Sequence, residues 1–316
     1  MKILFIDKPH EILKTFLENA GHEVVEGYNL DRRQILERIK DYQGLVIRSR
    51  IALDKEFIDA GSSLKFIARS GAGMESIDTD YAQSKNIACI NSPEGNMDAV
   101  AEHALGCLLS LLNNLSKADR EVRAGKWIRE ENRGTELGSL SVGIIGYGNM
   151  GSAFAGKLSG IGCRILVYDK YKSGFGSTNV IETDLQTIQN ECEVLSLHTP
   201  LTAETEFMIN ASFLEKFKKK LWFINTARGR CVRTNDLVRA LKTGRVAGAA
   251  LDVFEYEDSS FEKFSLDNES LQKNPDWQYL VSAPNVILTP HIAGWSHQSS
   301  RKNAQILADK ILRFFQ

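Results

Sequence analysis

The sequence predicts an α/β protein with two doubly wound parallel-sheet domains. Short apolar runs alternate with amphipathic helical patterns along most of the 316 residues, and strands separated by helices pair in parallel. A chain of this length can build two domains, each with its own core. In addition, one apolar run leads into a glycine-rich turn and then a helical pattern, an arrangement typical of doubly wound folds.

The composition and charge exclude several classes of protein. With 43% hydrophobic and 25% charged residues, the chain has the make-up of an ordinary soluble globular protein. A formal net charge of -1 provides no basic field, so we expect no nucleic acid and no membrane as a partner. The 5 cysteines are widely spaced, which predicts core thiols in a reducing compartment and no metal site. The N-terminal apolar run is too short for a signal peptide, and we expect a cytoplasmic protein.

We expect a discontinuous first domain, residues 1–95 plus 291–316, and a second domain, residues 96–290. The strands predicted in the first domain are Ile3–Ile6, Glu23–Val25, Leu45–Arg48, Phe66–Arg69 and Ile87–Ile90. The strands predicted in the second domain are 142–146, 164–168, 193–197, 221–225, 246–251 and 286–289. A last amphipathic helix, at about Gln298–Phe315, closes the chain.

Three segments of the second domain lack the simple alternation. Met97–Arg123 has the pattern of one long helix that is apolar on more than one face, as expected for a helix between domains or subunits. Gly125–Leu140 is charged and turn-rich, and we expect it to wrap over a surface. Glu255–Ser282 is acid-rich without clear periodicity, which predicts an extended surface loop or lid with a short helix around Glu269–Lys273.

The glycine-rich turn has the pattern GxGxxG, formed by Gly146, Gly148 and Gly151. Gly146 allows the tight turn, Gly148 lets the backbone approach a pyrophosphate, and Gly151 lets the helix lie close to the strand. The start of the helix then offers unpaired N–H groups and a positive dipole end to phosphates. Because a predicted strand precedes the turn and a helix follows it, we favour a Rossmann-type dinucleotide site over a purely structural turn.

Asp169 closes the strand that follows this helix. A carboxylate at this position binds an adenosine ribose 2′-OH and disfavours a 2′-phosphate, which predicts NAD as the cofactor. Lys170 and Lys172 follow closely, so use of NADP is the alternative.

Residues able to take part in chemistry recur where the predicted strands end. In parallel sheets the ligand crevice lies beyond the carboxyl ends of the strands. We therefore expect an active site in the cleft between the two domains. The strand-end residues are Arg48, Arg69, His198, Arg228, Asp252 and His291.

The motifs resemble those of the D-isomer-specific 2-hydroxyacid dehydrogenases, over essentially the whole chain. The most specific motifs are the glycine turn, Asn225–Gly229 (NTARG), Asp252–Glu257 (DVFEYE) and Thr289–Gly294 (TPHIAG). In that family the Arg, Glu and His of these motifs form the catalytic triad, which implies Arg228, Glu257 and His291 in this chain.

The resemblance also implies ligands and contacts for each domain. Residues 1–95 plus 291–316 would bind a small anionic 2-hydroxy or 2-keto acid and act as a lid, and residues 96–290 would bind NAD. The implied cofactor contacts are Gly146, Tyr147, Gly148, Asn149, Met150, Gly151, Asp169, His198, Thr199, Pro200, Thr205, Thr226, Ala227, Arg228, Asp252, His291 and Gly294. The implied substrate contacts are Arg48, Ser49, Arg69, Ser70, Gly71, Ala72, Gly73 and Asn96.

These residue types suit hydride transfer from a secondary alcohol. A histidine such as His291 can accept the hydroxyl proton near neutral pH, and Glu257 would fix its tautomer and favour the imidazolium. Arg228 can hold the substrate carboxylate as a fork and polarise the carbonyl oxygen. The Gly71–Gly73 turn would present backbone N–H groups to the same carboxylate. The resemblance implies that Asp252 accepts a hydrogen bond from the nicotinamide carboxamide.

Some assignments leave alternatives open. Glu255 lies on the same loop as Glu257, and Asp258 stands where the family usually has a proline. Arg48 and Arg69 either bind a substrate phosphate or pair with acidic neighbours.

Four other residues are also open. Trp295 either shapes the substrate pocket or fills a domain interface. His103 fits packing or hydrogen bonding better than catalysis. Glu75–Ser76 replaces the Asp-Asn pair common in the family, which changes the hydrogen bonding expected behind Gly71–Gly73.

Within the family, Val46–Ser49, Ala68–Gly73 and Ala101–Leu105 are most similar to members that oxidise D-3-phosphoglycerate to 3-phosphohydroxypyruvate in serine biosynthesis. The alternatives are a glyoxylate/hydroxypyruvate reductase or other D-2-hydroxyacid dehydrogenase and, from another class, an NAD-sensing corepressor-like binding protein. The resemblance also implies a homodimer. Because the sequence ends at Gln316, soon after the last predicted helix, we expect no regulatory domain and no feedback by serine.

Overall fold

The computed structural model describes residues 1–257, 264 and 267–314. It divides into two compact units: the first contains Met1–Met97 and the chain from Trp295, and the second contains Asp98–Glu257 and Phe264–Gly294. The boundary expected at residues 290 and 291 therefore lies later, between Gly294 and Trp295. The reason is that the backbone of residues 291–293 is hydrogen-bonded to Asp252 of the second unit.

Every strand expected from the sequence is present, and one two-residue edge strand, β8, was not predicted. The strands are β1 Lys2–Phe5, β2 Glu23–Glu26, β3 Gly44–Ile47, β4 Phe66–Arg69, β5 Ala88–Asn91, β6 Ser141–Ile145, β7 Arg164–Tyr168, β8 Ile181–Glu182, β9 Val194–Leu197, β10 Leu221–Asn225, β11 Val246–Leu251 and β12 Val286–Leu288. The helices are α1 Glu11–Asn19, α2 Arg32–Leu36, α3 Lys55–Ala60, α4 Thr79–Ser84, α5 Met97–Leu112, α6 Leu115–Arg123, α7 Asn149–Leu158, α8 Leu185–Glu191, α9 Ala211–Glu215, α10 Thr234–Lys242, α11 Asn268–Lys273, α12 Pro275–Ser282 and α13 His297–Phe314.

The first unit is a five-stranded sheet in the order β2-β1-β3-β4-β5, with each neighbouring pair parallel. This is the doubly wound order of flavodoxin-like folds. Apolar clusters cover both faces, and one of them joins α1 and the C-terminal helix α13 to the sheet through Leu13, Leu17, Leu307 and Ile311. Burial on both faces explains why β3 is apolar throughout.

The second unit is a seven-stranded parallel sheet in the order β12-β11-β10-β9-β6-β7-β8. From β8 to β11 this is the strand order of the Rossmann fold, with β12 added at the edge. The chain reverses direction across the sheet between β6 and β9, and ligands bind beyond the carboxyl ends of strands at such a point. The two predicted parallel-sheet domains are thus confirmed.

The prediction of one long helix over Met97–Arg123 was wrong, because two helices occupy this stretch. Helix α5 ends at Leu112 and α6 begins at Leu115, after Asn114 has taken a left-handed conformation with φ 52°. Asparagine tolerates this conformation better than most residues. The break is fixed from outside the helix, because Thr135 N donates to Leu112 O at 2.9 Å and Asn114 Nδ2 donates to Arg133 O at 3.3 Å.

The extended loop predicted for Glu255–Ser282 was also partly wrong. The short helix expected around Glu269–Lys273 is present as α11, but a second helix, α12, follows it. Its start could have been read from the sequence, since Asn274 caps it and Pro275 occupies the first turn. The rings of Phe264 and Trp277, with centroids 5.1 Å apart, anchor this region. Residues 258–263 and 265–266 of the predicted loop, and Phe315 of the last helix, lie outside the described residues.

The glycine turn between β6 and α7 has the geometry that two of its predicted roles require. Gly146 has φ +95°, and a Cβ atom there would lie 2.5 Å from His198 O. A Cβ atom on Gly151 would lie 1.9 Å from Gly146 O, so α7 packs directly on the turn. Gly148 is the N-cap of α7 and contributes no side-chain cap to the first N–H groups of the helix.

His198 supports this turn from below. It follows β9, its Nε2 lies 2.9 Å from Ser196 Oγ, and its ring is 5.3 Å from that of Phe154. Burial lowers the pKa of His198 to about 3, so the ring is neutral in the folded protein near neutral pH.

We predict that Gly151→Ala and Gly156→Ala, both on α7, have opposite effects on stability. The first adds a methyl group against rigid backbone and should lower the free energy of unfolding by about 1–3 kcal/mol. The second meets no described atom within 4 Å and should raise it by about 0.5–1 kcal/mol through helix propensity. Urea titrations of both variants measure the effects, and equal effects would contradict the packing described for the turn.

We also predict that His198 makes the protein less stable as the pH falls below about 6.5. The unfolded chain binds the proton near that pH, whereas the folded pKa is about 3, so the stabilisation is complete above pH 6.5 and is lost between 6.5 and 3. The contribution between pH 7 and 5.5 is about 1 kcal/mol. Urea unfolding at both pH values should show a smaller loss for His198→Gln than for the wild type. The exposed His297→Gln is the control, and an unchanged loss in His198→Gln would refute the prediction.

Candidate active site

In the second unit, the carboxylate of Asp252 organises the candidate active site at the ends of the strands. Asp252 directly follows β11 and is 2% exposed. Its Oδ1 accepts hydrogen bonds from Thr289 Oγ1 at 2.6 Å and Ile292 N at 2.9 Å, and its Oδ2 accepts one from Ala293 N at 2.8 Å. Its carbonyl oxygen accepts a further bond from His291 N at 2.8 Å. One residue therefore holds the whole turn that follows β12.

His291 lies in this turn with its ring next to Glu257. Its φ of +54° is left-handed, a conformation that costs free energy for a non-glycine residue and that the bonds to Asp252 maintain. The distance from His291 Nδ1 to Glu257 Oε2 is 2.8 Å, and Glu257 Oε1 accepts a hydrogen bond from Phe254 N at 2.6 Å. The carboxylate is thus fixed at one oxygen and orients the imidazole with the other.

The structure distinguishes between the two glutamates that the sequence left open. Glu255 Oε2 accepts a hydrogen bond from Thr234 N at 2.8 Å, at the start of α10. Glu255 therefore caps a helix, where a carboxylate is favourable to the dipole. Of these two carboxylates, the partner of His291 is Glu257.

Arg228 lies at the end of β10, next to β11 in the sheet. Asn225 shapes its turn, because Oδ1 accepts from Ala227 N and Nδ2 donates to Arg228 O, each at 3.0 Å. A Cβ atom on Gly229 would lie 1.9 Å from Phe254 O, so this turn packs tightly against the segment that carries Glu257. The predicted triad therefore comes from the carboxyl ends of three adjacent strands, β10, β11 and β12.

Asp169 lies at the end of β7, beside the glycine turn. Its Oδ2 accepts from Tyr147 N at 2.6 Å, and its Oδ1 accepts from Tyr171 N and Lys172 N at 2.9 Å each. Burial acts to raise the pKa of Asp169, but these three backbone donors and the charge of Lys172 together lower it. The group is therefore ionised, as a ligand for a ribose hydroxyl requires.

The two lysines that left NADP open are both engaged by protein groups. Lys170 Nζ forms an ion pair with Glu204 Oε1 at 2.5 Å, and Tyr171 Oη donates to the other oxygen of Glu204 at 2.8 Å. Lys172 Nζ donates to Tyr147 O at 3.1 Å. The added negative charge of Glu204 and the occupied ammonium of Lys170 both disfavour a 2′-phosphate at this position.

The other residues expected to contact the cofactor differ in whether their side chains already have hydrogen-bond partners in the protein. The ring of His198 is buried beneath the glycine turn and bonded to Ser196, so its side chain supports the turn, and a contact between this residue and the cofactor stays a prediction. Thr205 Oγ1 donates to Pro200 O at 2.6 Å, which fixes the loop that begins at Thr199. Thr226 Oγ1 is buried without a hydrogen-bond partner among the described residues, which leaves a polar atom for a ligand at the end of β10.

The remaining expected contacts lie at the same edge. Asn149 and Met150 begin α7, Ala227 is buried within the turn of Arg228, and Gly294 follows the turn held by Asp252. Of the groups that organise this edge, sequence reasoning missed the hydroxyl of Thr289. Its only sequence signal was its place beside Pro290 and His291 in the TPHI motif.

The substrate residues expected in the first unit form a separate cluster. Arg48 N donates to Asp7 Oδ2 at 2.6 Å, and the Arg48 guanidinium lies 4.1 Å from the ring centroid of Trp295. Arg69 Nε donates to Arg48 O at 3.2 Å. Trp295, whose role was open, thus stacks on Arg48 and is 66% exposed. The structure brings Arg48 and Arg69 together, with Ser49 and Ser70 next to them in the chain.

The Gly71–Gly73 turn and its neighbours complete this cluster. Gly71 has φ +145°, its carbonyl oxygen accepts from Ser92 N at 3.0 Å, and Asn91 Nδ2 donates to Ala72 O at 2.6 Å. Where the family pattern differs, at Glu75–Ser76, Ser76 O accepts from Leu53 N at 2.7 Å. Asn96 Oδ1 is buried without a partner in the described chain, so this side chain can still receive a hydrogen bond from a ligand.

One ion pair missed by sequence reasoning holds the arginine cluster. Asp7 is 8% exposed, and its Oδ1 accepts from Arg50 Nε at 3.0 Å. Arg50 Nη2 also donates to Ile6 O at 2.6 Å, so Arg50 and Asp7 fix the start of the loop that carries Arg48. The pairing joins positions far apart in sequence, and no local pattern signals it.

The described ranges, 1–257, 264 and 267–314, contain no group of three or more His, Cys, Asp or Glu residues that could hold a metal ion. No helix in them is both long enough and apolar enough to cross a membrane.

Known proteins resemble the chain over nearly its whole length. The family model for the D-isomer specific 2-hydroxyacid dehydrogenase, NAD binding domain, matches residues 105–293. D-3-phosphoglycerate dehydrogenase of Archaeoglobus fulgidus is 32% identical over 99% of this chain and 57% of the relative. Hydroxypyruvate reductase of Thermotoga maritima is 32% identical over 94% of this chain and 92% of the relative. The structure of D-lactate dehydrogenase from Aquifex aeolicus, complexed with NAD and lactic acid, superposes with a TM-score of 0.83 at 28% identity, covering 100% of this chain and 95% of that one.

The relatives differ from this chain in length. The chain spans little more than half the length of the phosphoglycerate dehydrogenases it matches, 57% and 53% for those of A. fulgidus and Synechocystis. The matched residues include the glycine turn, Asp169, Arg228, Asp252, Glu257 and His291. The chain therefore belongs to the D-isomer specific 2-hydroxyacid dehydrogenase family, and residues 105–293 form its NAD-binding domain.

Proposed function

We propose that this protein catalyses NAD-dependent oxidation of a D-2-hydroxy acid to the 2-keto acid. The physiological substrate that we propose is D-3-phosphoglycerate, which gives 3-phosphohydroxypyruvate, a step of serine biosynthesis. The observation that carries the proposal is the 2.8 Å contact between His291 Nδ1 and Glu257 Oε2, on a turn fixed by Asp252. An acid/base group oriented in this way is what the reaction requires of the protein.

The tautomer of His291 that Glu257 selects determines which ring nitrogen exchanges the substrate proton. A carboxylate can only accept a hydrogen bond, so Nδ1 of His291 carries a hydrogen and Nε2 is the nitrogen that exchanges the substrate proton. In oxidation the hydroxyl proton passes to Nε2 while the C2 hydrogen leaves as hydride. NAD, when bound, supplies the acceptor for that hydride. In reduction the imidazolium, stabilised by Glu257, returns the proton to the carbonyl oxygen.

Arginine side chains suit the two kinds of negative charge on the proposed substrate. A guanidinium at Arg228 can bind the carboxylate in a bidentate manner and polarise the reacting oxygen. The Arg48 and Arg69 pair is suited to the phosphate, since two cations on one strand-end cluster favour a dianion. The stack of Arg48 on Trp295 reduces the mobility of the guanidinium before a ligand binds.

A second candidate within the enzyme class is a hydroxypyruvate reductase. The T. maritima relative favours it, because the match covers 92% of that protein. In that case Arg48 and Arg69 would serve the structure of the first unit. An NAD-sensing binding protein is the alternative outside the enzyme class, and it would bind NADH without turnover.

We further propose that the protein is a homodimer working in the cytoplasm, where its five free cysteines suit a reducing environment. Helix α6 buries none of its residues, and Leu115 and Val122 on one of its faces are 56% and 54% exposed. Apolar residues at this spacing favour a second copy of the chain as the partner.

Sedimentation should give twice the mass of 35.3 kDa. Leu115→Lys with Val122→Lys should give a monomer, the control Val281→Lys should not, and a monomeric wild type would contradict the proposal.

Steady-state rates with a panel of D-2-hydroxy and 2-keto acids, each with NAD and NADP cofactors, test the substrate. We predict that D-3-phosphoglycerate or 3-phosphohydroxypyruvate has the highest kcat/KM. Removing a charged hydrogen bond to phosphate, in Arg69→Ala or Arg48→Ala, should lower kcat/KM for phosphorylated substrates by about 10- to 100-fold. For unphosphorylated substrates, kcat/KM should fall far less in the same variants. Arg33→Ala, whose side chain is paired with Glu37 on α2, is the control.

The outcomes separate the candidates. Equal losses for phosphorylated and unphosphorylated acids would contradict the assignment of the phosphate to these arginines. A preference for hydroxypyruvate or glyoxylate that survives both substitutions would support the reductase. NADH binding with no turnover of any acid would reject the enzymatic proposal.

A further inference from the structure

We propose that His103 is a positioning residue. It holds the hydroxyl of Thr289, which in turn donates to Asp252, and Asp252 holds the turn that carries His291. The inference rests on the proposed catalysis by His291. His103 lies on α5, far from the triad in sequence, and its side chain is 19% exposed. Its Nε2 is 3.1 Å from Thr289 Oγ1, and that hydroxyl is 2.6 Å from Asp252 Oδ1.

The direction of each hydrogen bond follows from the groups present. The carboxylate of Asp252 accepts only, so the single hydroxyl hydrogen of Thr289 is donated to it. Thr289 Oγ1 must then accept from His103, and the hydrogen of that bond lies on Nε2 of His103. His103 Nε2 is 3.7 Å from Asp252 Oδ1, too long for a direct hydrogen bond, so Thr289 is the intermediary.

The chain of donors determines how Asp252 holds the catalytic turn. Asp252 Oδ1 accepts from Thr289 and from Ile292 N, and Oδ2 accepts from Ala293 N, which uses three of about four acceptor positions of the carboxylate. A hydroxyl without His103 can rotate and donate elsewhere, which removes one of the three restraints. The turn at His291 has a left-handed φ of +54°, so it depends on such restraints more than a relaxed loop would.

Three variants at His103 distinguish positioning from packing. His103→Phe keeps a ring and removes the donor, and we expect kcat to fall about 10-fold, the effect of one lost hydrogen bond in the transition state. KM for NADH and the midpoint of thermal unfolding should change little. His103→Gln places an amide N–H near the position of Nε2 and should restore most of the rate, whereas His103→Leu should not. Cys107→Ala, one turn later on α5, is the matched control with wild-type kcat.

A double-mutant cycle with Thr289 tests the proposed route. Thr289→Val should also lower kcat, and adding His103→Phe to it should cause no further loss, because both residues act along one chain of hydrogen bonds. Multiplied losses in the double variant would overturn the proposal, as would a wild-type kcat in His103→Phe. A loss accompanied by a lower unfolding midpoint and no rescue by His103→Gln would show packing and would also overturn it.

Failure of the proposed function gives a different result. If the wild-type protein binds NADH and turns over no acid in the panel, the enzymatic proposal fails. If the wild type turns over and the His103 series behaves like Cys107→Ala, the dehydrogenase proposal stands and only the positioning role is lost.

Discussion

The candidate active site depends on the hydrogen bonds that the buried carboxylate of Asp252 accepts. A charge that is 2% exposed is tolerable only when it is well satisfied, and here the donors are Thr289 Oγ1, Ile292 N and Ala293 N. All three belong to the turn that contains His291. The requirement to satisfy Asp252 therefore also sets the backbone from which the imidazole projects, and Glu257 fixes the ring itself.

The Rossmann topology supplies the frame for this arrangement. Parallel strands place their carboxyl ends at one edge, so β6 and β7 present the glycine turn and Asp169, while β10, β11 and β12 present Arg228, Asp252 and His291. The residues predicted to bind the cofactor and those proposed as the acid/base group thus lie at the ends of strands of one sheet. Close backbone packing at Gly146 and Gly151 leaves no room for a side chain at the turn between β6 and α7.

Much of the fold could be predicted because its signals are local. The strands are apolar runs, and the roles of Gly146 and Gly151 follow from spacing within a few residues. The break at Asn114 was missed because Thr135 and Arg133 stabilise it from outside the helix. Helix α12 has local sequence signals at Asn274 and Pro275. It was missed because the stretch around it is polar and acidic and shows no clear periodicity.

The sequence indicated residue types for the candidate site but not the hydrogen bonds between them. Spacing could not distinguish Glu255 from Glu257, because both lie on one loop and the choice depends on where each side chain points. The bond between Asp252 and Thr289, the ion pair between Asp7 and Arg50, and the burial of His198 depend on which strands lie side by side. Those pairings arise only when the sheet forms.

The measurement that tests the central claim most directly is the rate of hydride transfer in a single turnover of His291→Asn. Asparagine accepts the left-handed backbone at this position, so the variant removes the imidazole without adding strain. If His291 exchanges the substrate proton, the stopped-flow rate should fall by about 10²–10⁴-fold while NADH binds as in the wild type. A rate close to that of the wild type, with NADH binding intact, would contradict the role assigned to His291 and to the turn that Asp252 holds.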